Sequence, residues 1–276
     1  MTDRSRFIEA TRIGEHAYRY LTTRPRSGRV VSSFSGGINL LFENGKAFIP
    51  VQAASVPLHP WAIEILGEPL HLPEGTPTRS EKGEISIGNV HIVLSTVQVE
   101  DLSLPRFSAH EAAIALRNLP ILTSFVEEAR KTHSPDPFQP EIDAILGRWH
   151  KSNDPTVLHN LIGLGAGATP SGDDVLVGIL AGMSVFEGVD QKFEEVLSHL
   201  RTRMRDSVRE RTPLPSAQML LAACEGSFGE PIIELATALI SPTTSEDSLL
   251  ERVRSVFRLG HHSGHCILLG LHISDT

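Results

Sequence analysis

The sequence predicts an α+β protein. A β-rich unit over residues 1–107, a small barrel or a sandwich with a leading helix, is packed on a mostly helical unit over residues 108–276. Three observations carry this expectation. Two apolar strand pairs flank the turn dipeptides Asn44-Gly45 and Gly88-Asn89, the residue types that tolerate the positive φ of tight hairpins. From Asp190 to Arg211, Phe193, Val196, Leu197, Leu200, Met204 and Val208 recur at helical spacing. A glycine-rich string then stands just before Val175–Gly182, a segment apolar on every side that reads as a buried helix.

Each element follows from local pattern. Phe7, Ile8, Ile13, Ala17, Tyr18 and Leu21 recur at near-helical spacing, which predicts an N-terminal helix ending before Pro25. Arg29–Phe34 is β-branched and serine-rich, and Ile38–Phe42 and Lys46–Val51 flank the first hairpin turn. Ala62–Leu66 reads as a short strand and Leu70–Lys82, rich in Pro, Thr and Gly, as a loop. Glu84–Ile87 and Val90–Leu94 form the second hairpin, and Val97 to Leu104 carries a last strand or two.

Past Pro105 the pattern turns helical. Ser108 caps a helix to Asn118, Pro120 interrupts or kinks the chain, and Ile121–Arg130 is a further helix. The stretch from Thr132 to Pro140 holds three prolines and is a loop. Helices then run over Pro140–His150, Thr156–Leu161, Asp190–Arg211, Ser216–Cys224, Glu230–Ile240 and Ser245–Leu259, with a short apolar segment over Cys266–Ile273.

Composition excludes several classes. Hydrophobic residues make up 40% and charged residues 21% of the 276, the balance of a globular protein. The formal net charge is -8, against nucleic-acid binding, which needs a basic face. No apolar run reaches membrane-span length, and the charged start is no signal peptide. Two cysteines, Cys224 and Cys266, form no disulfide framework and suit a reducing cytoplasm.

Chemistry concentrates in Gly163-Leu164-Gly165-Ala166-Gly167-Ala168-Thr169-Pro170-Ser171-Gly172-Asp173-Asp174. Alternating glycines let the backbone approach a ligand, and a helix start presents unpaired N–H groups and partial positive charge. Gly165, Gly167, Thr169, Ser171 and Gly172 are therefore candidate anion-binding positions. Either Ser171 with Asp174 forms a capping box, or Thr169 caps with Pro170 first in the helix. The string lacks the lysine and spacing of a Walker loop and the context of a dinucleotide fingerprint.

Asp173 and Asp174 put two carboxylates at the head of a buried helix, where they need partners. Adjacent helical residues diverge by about 100°, so Asp174 is taken as the reacting group and Asp173 as a cap or supporting group. They could bind a substrate N–H, move a proton or hold a divalent cation. No resident cofactor is expected, and the cation is the one alternative. Arg209, Arg211, Thr212 and Ser216 join a helix end to the next helix start, and guanidinium with hydroxyl groups can cradle a carboxylate or phosphate. Asn39 comes just after the permissive Ser35-Gly36-Gly37 step and could touch a ligand, although a turn explains it equally. His261 and His265 stand at the spacing of a helical metal pair, but Ser263-Gly264 between them favours a turn.

The twelve-residue string resembles the signature of the AllH-like family, whose namesake is an oxamate carbamoyltransferase subunit of allantoin catabolism. That resemblance implies exchange of a carbamoyl group between oxalurate and phosphate, giving oxamate and carbamoyl phosphate. It also implies action beside an acyl-CoA-synthetase-like subunit. It gives added weight to Thr212 and Ser216, and to His261 and Ser263 in the recurring Gly260-His261-x-Ser263-Gly264 element. The residues from Pro170 to Ile179 are echoed from His262 to Leu271, which predicts two buried helices paired through Gly178 and Gly270. The second copy lacks the acids, and has Cys266 where the family usually carries an acid nearby. Two alternatives stand beside a catalytic subunit: a non-catalytic assembly subunit, and a metal-dependent hydrolase of ureido compounds.

Overall fold

The structure is a computed structural model that describes residues 5–132, 134 and 136–272. The chain divides into two compact units between Leu102 and Ser103.

The first unit is a closed barrel. Its strands are β1 (Arg6–Gly14), β2 (Arg26–Phe34), β3 (Gly37–Phe42), β4 (Ala47–Ala53), β5 (Ile63–Ile65), β6 (Pro77–Glu81), β7 (Glu84–Ile87) and β8 (Val90–Val93), with a short helix α1 (Glu15–Thr22) after β1. The order β5-β4-β3-β2-β6-β7-β8-β1 closes where β1 pairs antiparallel with β5, Ala10 opposite Ile65. Closure leaves no open edge among these strands. A ninth short strand, β9 (Gln98–Glu100), runs parallel beside β1. The interior is aliphatic: Ile13, Ile38, Leu40, Ile49, Ile63, Ile85, Ile87 and Ile92 are fully buried around Phe42. At the closure Glu64 is buried and takes the Arg12 guanidinium at 2.5 Å and the Thr11 hydroxyl at 2.6 Å. The partnered acid keeps its carboxyl below the ordinary carboxylate range, chiefly through the Arg12 hydrogen bond.

Two expectations are corrected here. The leading helix begins only at Glu15, because residues 6–14 are a strand. Ile8 and Ala10 face inward while Phe7 and Glu9 face out, a period of two that β-branched Ile8, Thr11 and Ile13 suit. The Leu70–Lys82 loop contains β6, whose inward residues Thr78 and Ser80 are polar and satisfied, by the Ser86 and Leu21 carbonyls.

The second unit is helical: α2 (Ala109–Thr132), α3 (Gln139–Ser152), a 3-10 turn over Pro155–Leu161, α4 (Ser171–Val185), α5 (Gln191–Arg211), α6 (Leu214–Cys224), α7 (Glu230–Ile240), α8 (Glu246–Phe257) and α9 (Ser263–His272). Pro120 does not break α2. The carbonyl it strands four residues earlier belongs to Leu116, which is exposed, so water can take the lost bond. Asp190 and Ser245 cap α5 and α8 through the backbone N–H groups of Lys192 and Ser248.

Every residue of α4 is buried, which its unbroken apolar pattern predicts. The helix packs against α5, α6, α7 and α9. Its contact with α9 is a close backbone approach at both glycines of the repeated pattern. A Cβ on Gly178 would lie 2.0 Å from the Ile267 carbonyl oxygen, and one on Gly270 would lie 2.0 Å from that of Val175. This pairing brings the two helix starts, Ser171 and Ser263, to one place. No described helix is long and apolar enough to cross a membrane.

Candidate functional site

The site forms where the glycine string meets the starts of α4 and α9. Gly165 has φ +135°, and a Cβ there would sit 2.5 Å from the Ser171 backbone nitrogen, so only glycine lets the loop fold over its own helix. Gly172 N–H donates back to the Leu164 carbonyl at 2.7 Å. Neither proposed side-chain cap forms: the helix starts at Ser171 after Pro170, without a side-chain cap bond.

The two adjacent acids take different environments, as their divergence on a helix requires. Asp173 is 1% exposed and turned inward. Its Oδ1 accepts the Gly163 N–H at 2.8 Å, and its Oδ2 accepts the Ser216 hydroxyl at 2.6 Å and the Thr212 hydroxyl. It thereby ties the loop to the junction of α5 and α6. Burial pushes its pKa up, opposed by the three donors and by the charge of Arg211. An Asp173→Ala chain should lose about 3 kcal/mol, because two buried hydroxyls and the half-buried Gly163 N–H lose their acceptor. That corresponds to a melting temperature roughly 6–12 °C lower. A melting temperature within 2 °C of the parent in calorimetry (a change of less than roughly 1 kcal/mol) would show that Asp173 does not hold the loop.

Asp174 points the other way, into a cavity of about 460 Å³. It is 8% exposed and hydrogen-bonded to the Ser263 hydroxyl. Burial pushes its pKa up to about 7, with the charges of Asp173 and Asp136 adding and the Ser263 bond opposing. Near neutral pH it is therefore part acid and part base. Asp136, 5% exposed, reaches the same cavity from the loop between α2 and α3. Its Oδ2 accepts the Ser171 hydroxyl and its Oδ1 the Phe138 N–H at 2.7 Å. Thr169 and Ser263 hydroxyls lie 3.4 Å apart at the rim, and His261 and His262 close the wall beside Gly260.

The string itself, Ala166 to Thr169, also lines the cavity. Among the described residues no backbone carbonyl accepts from the N–H groups of Gly165, Ala166, Gly167, Ala168 or Thr169. The cavity is therefore lined by two unlike kinds of residue, the string and the acids. Free N–H groups and two helix starts favour negative charge. Two carboxyl groups can accept N–H bonds, and Asp174 can also give up a proton. A ligand carrying an anionic or carbonyl oxygen at one end and an amide at the other meets both.

The other predicted positions fall elsewhere. Thr212 and Ser216 are buried against Asp173, and Gly172 is a packing position whose Cβ would lie 2.2 Å from the Leu161 carbonyl oxygen. Arg209 and Arg211 are exposed at the end of α5 and do not line the cavity; Arg211 acts on Asp173 through its charge alone. Asn39 belongs to the barrel, where its amide donates to the Ser32 hydroxyl at 2.9 Å. His261 lines the cavity, whereas His265 is buried against Phe257 and lines a separate hollow, so the two do not converge. Among the described residues no group of three or more His, Cys, Asp or Glu could hold a metal ion. Asp136 and His262 are cavity residues that sequence reasoning missed. The only signal for Asp136 was an acid set between two prolines.

Fold and site together define a two-unit protein, a closed barrel followed by a helical unit whose paired helix starts frame a polar cavity. Residues 9–99 match the AllH family N-terminal domain, and residues 161–274 match oxamate carbamoyltransferase subunit AllH. The chain belongs to the AllH family, whose name is that of an oxamate carbamoyltransferase subunit. No curated protein and no solved structure matches it.

Proposed function

We propose that this chain is a carbamoyltransferase subunit that carries the carbamoyl-binding site, exchanging a carbamoyl group between oxalurate and phosphate to give oxamate and carbamoyl phosphate. The observation that carries the reading is the split of the two acids: Asp173 is sealed as a structural tie, while Asp174 opens onto a cavity whose wall includes Ala166 to Thr169, with N–H groups that no described backbone carbonyl takes. The N–H wall binds the carboxylate or phosphate and stabilises the oxyanion that forms at the carbamoyl carbon. Asp174 orients the amide nitrogen and, with a pKa near neutrality, protonates the departing oxamate nitrogen as the C–N bond breaks. In the reverse direction the same carboxylate takes that proton back. His261 and Ser263 hold the rim.

The proposed setting is the cytoplasm and the breakdown of allantoin, in keeping with two free thiols and with the family's name. A subunit implies partners, and an acyl-CoA-synthetase-like protein is the one proposed. The assembly-subunit reading needs no open site, so the cavity at Asp174 weighs against it. No resident cofactor is assigned. The test is a transfer assay on the chain together with the subunits that co-purify with it. Oxamate-dependent release of phosphate from carbamoyl phosphate is expected, and release indifferent to oxamate would contradict the reading.

A further inference from the structure

Asp136 lies in residues 100–160, the stretch that neither family match covers. Yet it is a wall of the same cavity as Asp174, and it is more deeply buried. Its two oxygens are separately engaged. Oδ1 takes the Phe138 N–H at 2.7 Å, which fixes the carboxyl plane at the start of α3, and Oδ2 takes the Ser171 hydroxyl. Ser171 is the first residue of α4 and stands beside the Cys266 side chain of α9.

We propose that Asp136 is a positioning residue of this site, orienting the Ser171 hydroxyl and standing with Asp174 as a pair of carboxyl groups that meet the two hydrogens of a carbamoyl NH2. The inference rests on the reading of the cavity as a carbamoyl site, but the coupling of the two acids does not. A carboxyl group near a second carboxylate holds its proton more tightly. Asp136 does this to Asp174, together with Asp173 on the same helix. The other titratable and charged groups around the pair are Cys266 on α9 and His261 and His262 in the preceding turn and, on the Asp136 side, Arg130 of α2, Asp143 of α3 and His265 of α9. Of the two acidic neighbours, Asp173 is committed to the loop, which leaves Asp136 as the one that shares the cavity. Asp136 thus adds, from outside the glycine string, to the effect that burial has on proton release from Asp174.

The test is a carboxyl carbon NMR titration of the full chain, with Asp136→Asn and Asp136→Glu alongside the parent. In Asp136→Asn the Asp174 midpoint should shift downward, to a stronger acid, since a like charge is gone. Asp136→Glu should restore most of the shift. A role confined to folding would leave the Asp174 midpoint in place, and that result would overturn the proposal. If Asp136→Asn does not fold, Asp136→Ser is titrated in its place, and an unmoved Asp174 midpoint there would also overturn it. Carbamoyl phosphate binding is measured separately on the parent. Coupled acids in a chain that binds no carbamoyl phosphate would sink the carbamoyl reading and leave the acid pair standing.

Discussion

Replacing Asp174 by asparagine should lower carbamoyl transfer by about 100-fold or more, the usual contribution of a positioned acid or base, while leaving the chain folded. Asparagine keeps the shape and can still accept a bond from Ser263, but it cannot carry a proton between substrate and product. The same variant has a signature in stability. The folded pKa of Asp174, about 7, lies above its ordinary value of 3.8. Below about pH 4 the carboxyl is neutral folded or unfolded, and the fold bears no penalty. As pH rises toward 7 the unfolded chain ionises first, so stability is lost across that window. The loss from this group is on the order of 4 kcal/mol between pH 4 and pH 8. Asp174→Asn should lack that slope and be the more stable form at pH 8. Denaturation midpoints at several pH values check this, and parallel curves for parent and variant would mean that Asp174 does not titrate as described.

Gly178→Ala should lose at least about 3 kcal/mol, because the added methyl group meets a backbone carbonyl rather than a movable side chain. Gly270→Ala should do the same, since its contact is the mirror of the first. Gly167→Ala is the control. It has no atom within 4 Å, so only its φ of +87° resists the change, at about 1–2 kcal/mol. Urea denaturation separates these. Equal losses at Gly178 and Gly167 would show that the helix approach is not what the glycine serves. Because α4 and α9 bring Ser171 and Ser263 together, a spread pair should also weaken ligand binding.

What the sequence made legible was local. The turns at Asn44-Gly45 and Gly88-Asn89 show positive φ at Asn44, Gly45 and Gly88, α4 follows from its apolar pattern alone, and α5 and α8 from apolar pattern and caps. The repeated Ser-Gly segments anticipated the helix pair. The misses have physical causes. β1 carries apolar residues whose spacing fits a helix on paper, but pairing on both sides makes it a strand. β6 turns polar residues inward, so it shows no apolar alternation. Within the site, Asp174 was legible because two adjacent acids on a buried helix cannot share one environment. Asp136 was not, because its place comes from the α2–α3 loop reaching the start of α4, a meeting 35 residues apart in sequence. Arg209 and Arg211 looked like anion ligands by type, but a long helix ending on its solvent face leaves them outside the cavity.

The central claim is that a carbamoyl ligand binds at Asp174 on this chain. The most direct measurement is thermal unfolding of the purified chain with carbamoyl phosphate, oxamate and plain phosphate, with Asp174→Ala in parallel. At 100 times its dissociation constant a ligand adds about 2.7 kcal/mol, so the melting temperature should rise by roughly 5–11 °C with carbamoyl phosphate or oxamate. That rise should vanish in the variant. No rise in the parent, or the same rise in both proteins, would place the ligand elsewhere and contradict the account.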